Sequence, residues 1–151
     1  VILNEPNITK AVKEGYGKML AQVGDVMAYQ TSALFFSPKL MQDKETALRF
    51  MKAYIKANRY YYDAALVKKD GKPAPGANFE EVVTIIAAYT GAPVEDVKLG
   101  LPYIDRDGRL LAEDIGRQID WYTKNKMVEK PLDPRTVYDT SLVETALQQL
   151  K

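Results

Sequence analysis

Asp105 and Asp107 stand one residue apart and Gly108 follows directly, inside the stretch GLPYIDRDGRL. Alternate acids ahead of a glycine open a calcium loop, in which oxygen ligands at every second position wrap a hard cation and glycine makes the sharp turn. The rest of the stretch departs from that pattern. Gly108 arrives early for an EF-hand, no third oxygen ligand precedes it, and Arg106 and Arg109 bring positive charge to where the cation would sit. The segment therefore reads as a turn without metal, with Asp side chains accepting from backbone amides and Gly108 at positive φ. It leads into a helix whose first turn carries Glu113 and Asp114, favourable at the positive end of the helix dipole.

Three other groups of residues have chemical content. NEPN, Asn4 to Asn7, follows the apolar run Val1-Ile2-Leu3. If that run ends a parallel strand, Asn4, Glu5 and Asn7 fall in the crevice where open α/β sheets bind ligands, with a helix N-terminus directed at it. The plain alternative is an ordinary strand-to-helix turn. YQTS places Tyr29, Gln30, Thr31 and Ser32 in an otherwise apolar strand pattern. They are either donors lining a cleft or the solvent face of an edge strand, and spacing does not separate the two. Tyr60, Tyr61 and Tyr62 span about 200° of a helix, so they do not share one pocket. Tyr62 follows the apolar stripe and reads as packing.

Composition removes much of catalysis. The 151 residues contain no Cys and no His. Thiol nucleophiles, disulfides, thiolate or imidazole metal sites and Ser-His-Asp machinery are closed to this chain, which reads as a non-enzyme without cofactor or metal. Lys and Arg number 21 against 20 acids, and a net charge of +1 gives no bulk attraction to nucleic acid or anionic membrane. Apolar residues make up 46%, enough for a core. No apolar run reaches the roughly 18 residues of a membrane span.

The elements that must position these residues are mostly helical. Asn7 or Thr9 would cap a helix ending by Gly17, with Ile8, Ala11, Val12 and Tyr16 on one face. Two strands are expected around Gly24-Asp25, the second from Tyr29 to Ser37, and Pro38 closes it. All strands are expected before Pro38. Long helices are expected near 44–66 (capped by Asp43, with Leu48, Met51, Ile55, Tyr62 and Leu66 inward), 79–90 (with Phe79, Val82, Val83, Ile86 and Tyr89 inward and Gly91 as its C-cap), 112–127 and 134–149, with a short one over Val94 to Leu99. Residues 68–78 read as an exposed polar loop. Strands at the front and helices behind suggest a helical layer whose sheet is largely supplied from outside. Val1-Ile2-Leu3 reads as the end of a buried parallel strand whose neighbours are not in this chain; a trimmed terminus is the alternative.

ALRFMKAYIKANRYYYDA, TGAPVEDVKLGLPYIDRDGRL and DIGRQIDWYTKNKMVEKPLDP, together with the opening VILNEPNITKAVKEGYGKML, resemble one family. It is the C-terminal half of the solute-binding proteins of ATP-binding-cassette importers for nitrate, sulfonates, taurine and thiamine-precursor pyrimidines. Leu-Pro-Tyr-Ile-Asp and Gln-Ile-Asp-Trp-Tyr are the more specific stretches. The resemblance implies an α/β fold, the C-terminal half of a type II periplasmic-binding-protein fold, helix-rich here with a few short strands. Residues 1–28 would end lobe 2, and 29–151 would return to lobe 1 and form its helical layer. It further implies a periplasmic or extracytoplasmic protein holding a small organic or oxyanion solute between lobes. The N-terminal half and a membrane permease would be its partners, and an isolated half would be expected to pair strands or swap with another copy. Ligand contacts from this half would come from Asn4, Glu5, Asn7, Tyr29, Gln30 and Thr31. The family often carries an aromatic-Asp-Pro segment at the first strand end; Asn4-Glu5-Pro6 lacks the aromatic, which leaves the ligand class open. A self-sufficient helical interaction domain without small-molecule binding is the alternative.

Overall fold

The computed structural model describes residues 1–150. The chain is helix-rich. In order it forms α1 (Asn7–Lys13), α2 (Val23–Val26), α3 (Pro38–Gln42), α4 (Lys44–Ala65), β1 (Lys68–Lys69), β2 (Lys72–Pro73), α5 (Phe79–Thr90), α6 (Val94–Leu99), α7 (Ala112–Lys124), a 3-10 turn (Pro134–Thr136) and α8 (Ser141–Gln149). Two units can be distinguished: residues 1–22 with 57–106, and residues 23–56 with 107–151. The first half of α4 belongs to the second unit and its second half to the first.

The helices with both a stripe and a cap form where the sequence places them. Asp43 accepts the Thr46 amide at 3.0 Å and starts α4. Gly91, at φ 70, takes the left-handed position that ends α5. In the second unit Met51 and Ile55 of α4 pack with Val143 and Ala146 of α8, and Phe36, Leu48, Tyr54 and Leu147 close around them. In the first unit Val82 and Val83 of α5 and Val97 of α6 are buried, and α5 packs on α6. Tyr89, expected inward, is instead exposed at the end of α5.

The strand expectations are overturned. Among the described residues the only strands are β1 and β2, an antiparallel pair after Pro38. Asp70 and Gly71, at φ 50 and 74, form the two-residue turn between them, the conformation that Asp-Gly favours in hairpins. Residues 1–3, 18–22 and 29–37 form no ladder. A strand is stable only against neighbours that share its hydrogen bonds, and these segments have none within the described residues. The run around Gly24-Asp25 coils into α2 instead, and Pro38 begins α3 behind a Ser37 cap.

Three helix boundaries also move. α1 follows Pro6 rather than an Asn7 or Thr9 cap and ends at Lys13. α7 stops at Lys124 in a Schellman motif: Lys126 takes φ 56, its amide donates to Thr123 O at 3.0 Å, and Met127 N donates to Tyr122 O at 2.9 Å. The expected 134–149 helix breaks because Asp133 caps only a 3-10 turn and Asp139 accepts the Ser141 amide at 2.8 Å, starting α8 afresh.

The connection GLPYIDRDGRL is pinned in the first unit at Pro102 to Arg106. Three consecutive residues of α4 hold it. The Tyr61 hydroxyl donates to Pro102 O at 2.6 Å, Tyr62 meets the Tyr103 ring edge-on at 6.5 Å, and Asp63 accepts both arms of the Arg106 fork at 2.7 Å. Farther along, in the second unit, the Asp107 carboxylate accepts from Arg109 at 2.7 Å, and Arg109 reaches Glu144 at 3.4 Å. Gly108 has φ 71, as a turn at this position requires.

Candidate functional site

Asn4, Glu5 and Asn7 occupy one turn in the first unit. Asn4 O accepts the Asn7 amide at 3.0 Å, and Glu5 Oε2 accepts the Thr9 amide at 3.1 Å. The amides expected to face a ligand are thus engaged by the chain itself at Asn7 and Thr9. Glu5 does the work of a helix-start acceptor, satisfying one of the donors a first turn leaves over. Its carboxylate lies over Gly100, where an added Cβ would stand 2.6 Å from Oε2. Asn7, the first residue of α1, is exposed.

Tyr29, Gln30 and Thr31 lie in the second unit, on an extended segment with no regular structure. Gln30 is half-buried, and every polar group it has makes a bond. Its amide donates to Asp114 Oδ2 at 2.7 Å. Its Oε1 accepts the Leu111 amide at 2.8 Å, its carbonyl accepts from Gln118 Nε2 at 3.0 Å, and its own Nε2 donates to Ser32 O. Gln118 Nε2 also donates to Asp114 Oδ2 at 2.6 Å. Arg117 Nη2 bridges Asp114 Oδ1 at 3.0 Å and Ala28 O at 2.9 Å.

The hub of this network is Asp114, only 1% exposed. A buried carboxylate is stable only when paired and hydrogen-bonded. Here the Gln30 amide, aided by Gln118 and Arg117, holds the Asp114 carboxyl below the usual carboxylate range against the opposing effect of burial. It therefore stays ionised at neutral pH. Its place in the first turn of α7 adds the favourable end of the helix dipole. In return, Gln30 Oε1 satisfies an amide at the start of α7.

Beside this network is a shallow, open depression of about 430 Å³, lined by Gln30, Thr31, Ser32, Ala33, Phe35, Ile115 and Gln118. All seven are uncharged. The Thr31 and Ser32 side chains are exposed, and Phe35 is an exposed aromatic. Such a surface offers hydroxyls for hydrogen bonding and an aromatic face for stacking. Of the expected contacts, Gln30 and Thr31 line it and Tyr29 is exposed next to them in the chain. Asn4, Glu5 and Asn7 are in the other unit.

Sequence reasoning missed Asp114, Arg117 and Gln118 as partners of the Gln30 segment. Their spacing of three and four residues places them on one helix face, a usable signal. The same acid read only as dipole complement because its partner lies more than eighty residues earlier. Among the described residues no group of three acids, His or Cys is placed to hold a metal ion, and no helix is long and apolar enough to cross a membrane. No protein-family model, curated protein or solved structure matches the chain.

Proposed function

We propose that the chain is the C-terminal half of a solute-binding component of an ATP-binding-cassette import system, working outside the cytoplasm. In this reading residues 1–28 end lobe 2 and residues 29–151 return to lobe 1 of a type II periplasmic-binding-protein fold. The observation that carries it in the structure is the uncharged depression at Gln30 to Phe35, held beside α7 by a buried hydrogen-bond network. The resemblance at Leu101-Pro102-Tyr103-Ile104-Asp105 and Gln118-Ile119-Asp120-Trp121-Tyr122 supports the same reading. The solute is a small organic molecule or oxyanion recognised by hydrogen bonds from Thr31, Ser32 and neighbouring groups. The N-terminal half completes the site, and a membrane permease receives the solute.

A thermal-shift screen against sulfonates, nitrate, pyrimidines and aromatic acids tests this. A ligand that binds only the folded state raises stability by RT ln(1 + [L]/Kd), about 2.7 kcal/mol at a hundredfold excess over Kd. A saturable shift with one class supports the reading. No shift with any class, from protein that includes the preceding half, refutes it.

The alternative, a self-sufficient helical interaction domain, is favoured by one observation. Val1, Ile2, Leu20 and Phe35 are all more than three-quarters exposed. Apolar side chains of this kind suit a protein partner better than a small polar solute. Under this alternative a partner protein, and no small molecule, raises the melting temperature.

A further inference from the structure

The segment leading into the depression has no helix or ladder to fix it, yet its position decides where the Thr31 and Ser32 side chains stand. We propose that Asp114 is the positioning residue of this site: its buried carboxylate latches the Ala28 to Ser32 segment onto α7. The inference rests on the solute-binding reading only in taking the depression as the site.

The geometry argues for a latch rather than for general packing. Four bonds join the segment to α7 or its lead-in. They are Gln30 N to Asp114, Leu111 N to Gln30 Oε1, Gln118 Nε2 to Gln30 O, and Arg117 Nη2 to Ala28 O. Asp114 makes the first directly. It also accepts from the two side chains, Gln118 and Arg117, that make the last two, so it holds both in the rotamers those bonds need. One buried anion therefore orders three donors at once. Bonds to an ionised acceptor are short and stronger than neutral ones, which suits a single point of attachment. On the 3-10 turn packed against α7, Arg135 is already forked onto its own neighbour Asp133. Thr31 and Ser32 follow the latch directly, so fixing Gln30 fixes their starting point.

Backbone amide hydrogen exchange of the whole chain, with and without Asp114→Asn, tests this without any ligand. The outcome is therefore separate from that of the solute screen. The substitution keeps the volume but replaces one acceptor oxygen with a donor and removes the charge. The expected result is a loss of protection at Gln30 of at least about tenfold, the scale of one charge-assisted hydrogen bond, with Ile55 and Val83 unchanged. Unchanged protection at Gln30 overturns the proposal. So does an equal fall at Gln30, Ile55 and Val83, which would make Asp114 a general structural residue. Gln30→Ala provides a second reading should Asp114→Asn fail to fold. It leaves the backbone bond to Asp114, so the amide at position 30 should stay protected while that of Leu111 loses protection. Loss at position 30 would place the latch in the Gln30 side chain and overturn the role of Asp114.

Discussion

Removing the Tyr61 hydroxyl should destabilise the protein at neutral pH and cease to do so in alkali. Burial pushes the Tyr61 phenol up to about 12, against an ordinary value of 10.0. Its hydroxyl donates to Pro102 O at 2.6 Å. At pH 7 Tyr61→Phe deletes that bond and leaves the carbonyl without this donor, a cost of about 1 kcal/mol. The alkaline side follows from linkage. The folded-state value lies above the unfolded one, so the contribution of the neutral phenol is fully present below pH 10. It is lost as pH rises toward 12, because the unfolded chain ionises first. A rise from 10.0 to about 12 corresponds to about 2.7 kcal/mol in full, and partial solvent access lowers that to roughly 1–2 kcal/mol. At pH 10.5 roughly 0.5–0.8 kcal/mol of it is gone, most of what the bond supplied. Phenylalanine does not ionise, so the stability gap between wild type and variant should shrink from about 1 kcal/mol at pH 7 toward zero near pH 10.5. Urea melts of both proteins at pH 7, 9 and 10.5 measure the gap. A gap constant over that range would mean that Tyr61 is open to water and that the bond to Pro102 does not pin the connection.

Two further substitutions test the packing. Ile55→Ala removes a fully buried side chain from the second unit's core. Three lost carbons at about 0.8 kcal/mol each, plus the cavity left among Met51, Val143 and Ala146, give about 3–4 kcal/mol; a denaturant midpoint showing less than about 1 kcal/mol would contradict this core. Gly100→Ala would place a Cβ 2.6 Å from Glu5 Oε2 and 2.9 Å from Thr9 Oγ1. It should cost about 1–2 kcal/mol by displacing the carboxylate from the Thr9 amide. That cost should fall by at least about half in a Glu5→Ala background, where part of the clash is gone; an unchanged cost would mean that Glu5 does not lie over Gly100.

What was legible in the sequence was local. α4 and α5 combine a 3.6-residue apolar stripe with an end residue that is readable locally, so Asp43 marks the start of α4 and Gly91 the end of α5 without any tertiary information. The hairpin at Asp70-Gly71 carried a readable dipeptide, but a Pro- and Gly-rich neighbourhood made it look like plain loop. The end of α7 was harder to read because Lys126, rather than glycine, takes the left-handed position. Residues 18–37 misled for a different reason. Their β-branched and aromatic content suits strands, but strand formation depends on neighbours, which a single segment does not reveal. The bonding partners of Gln30 were hidden for the same reason. Gln30 and Thr31 stood out as polar residues in an apolar run, whereas the bond from Gln30 to Asp114 joins residues far apart in the chain. Glu5 also stood out, and its carboxylate faces its own helix start.

Calorimetric titration of the best-binding solute into wild type and into Thr31→Val/Ser32→Ala tests the central claim most directly. The double substitution removes both hydroxyls from the depression while leaving the backbone and the Asp114 latch in place. Two lost hydrogen bonds correspond to about 1–3 kcal/mol, so affinity should fall roughly 5- to 150-fold with the melting temperature of the free protein unchanged. An unchanged affinity would contradict the account and put the solute, if one binds, elsewhere on the chain.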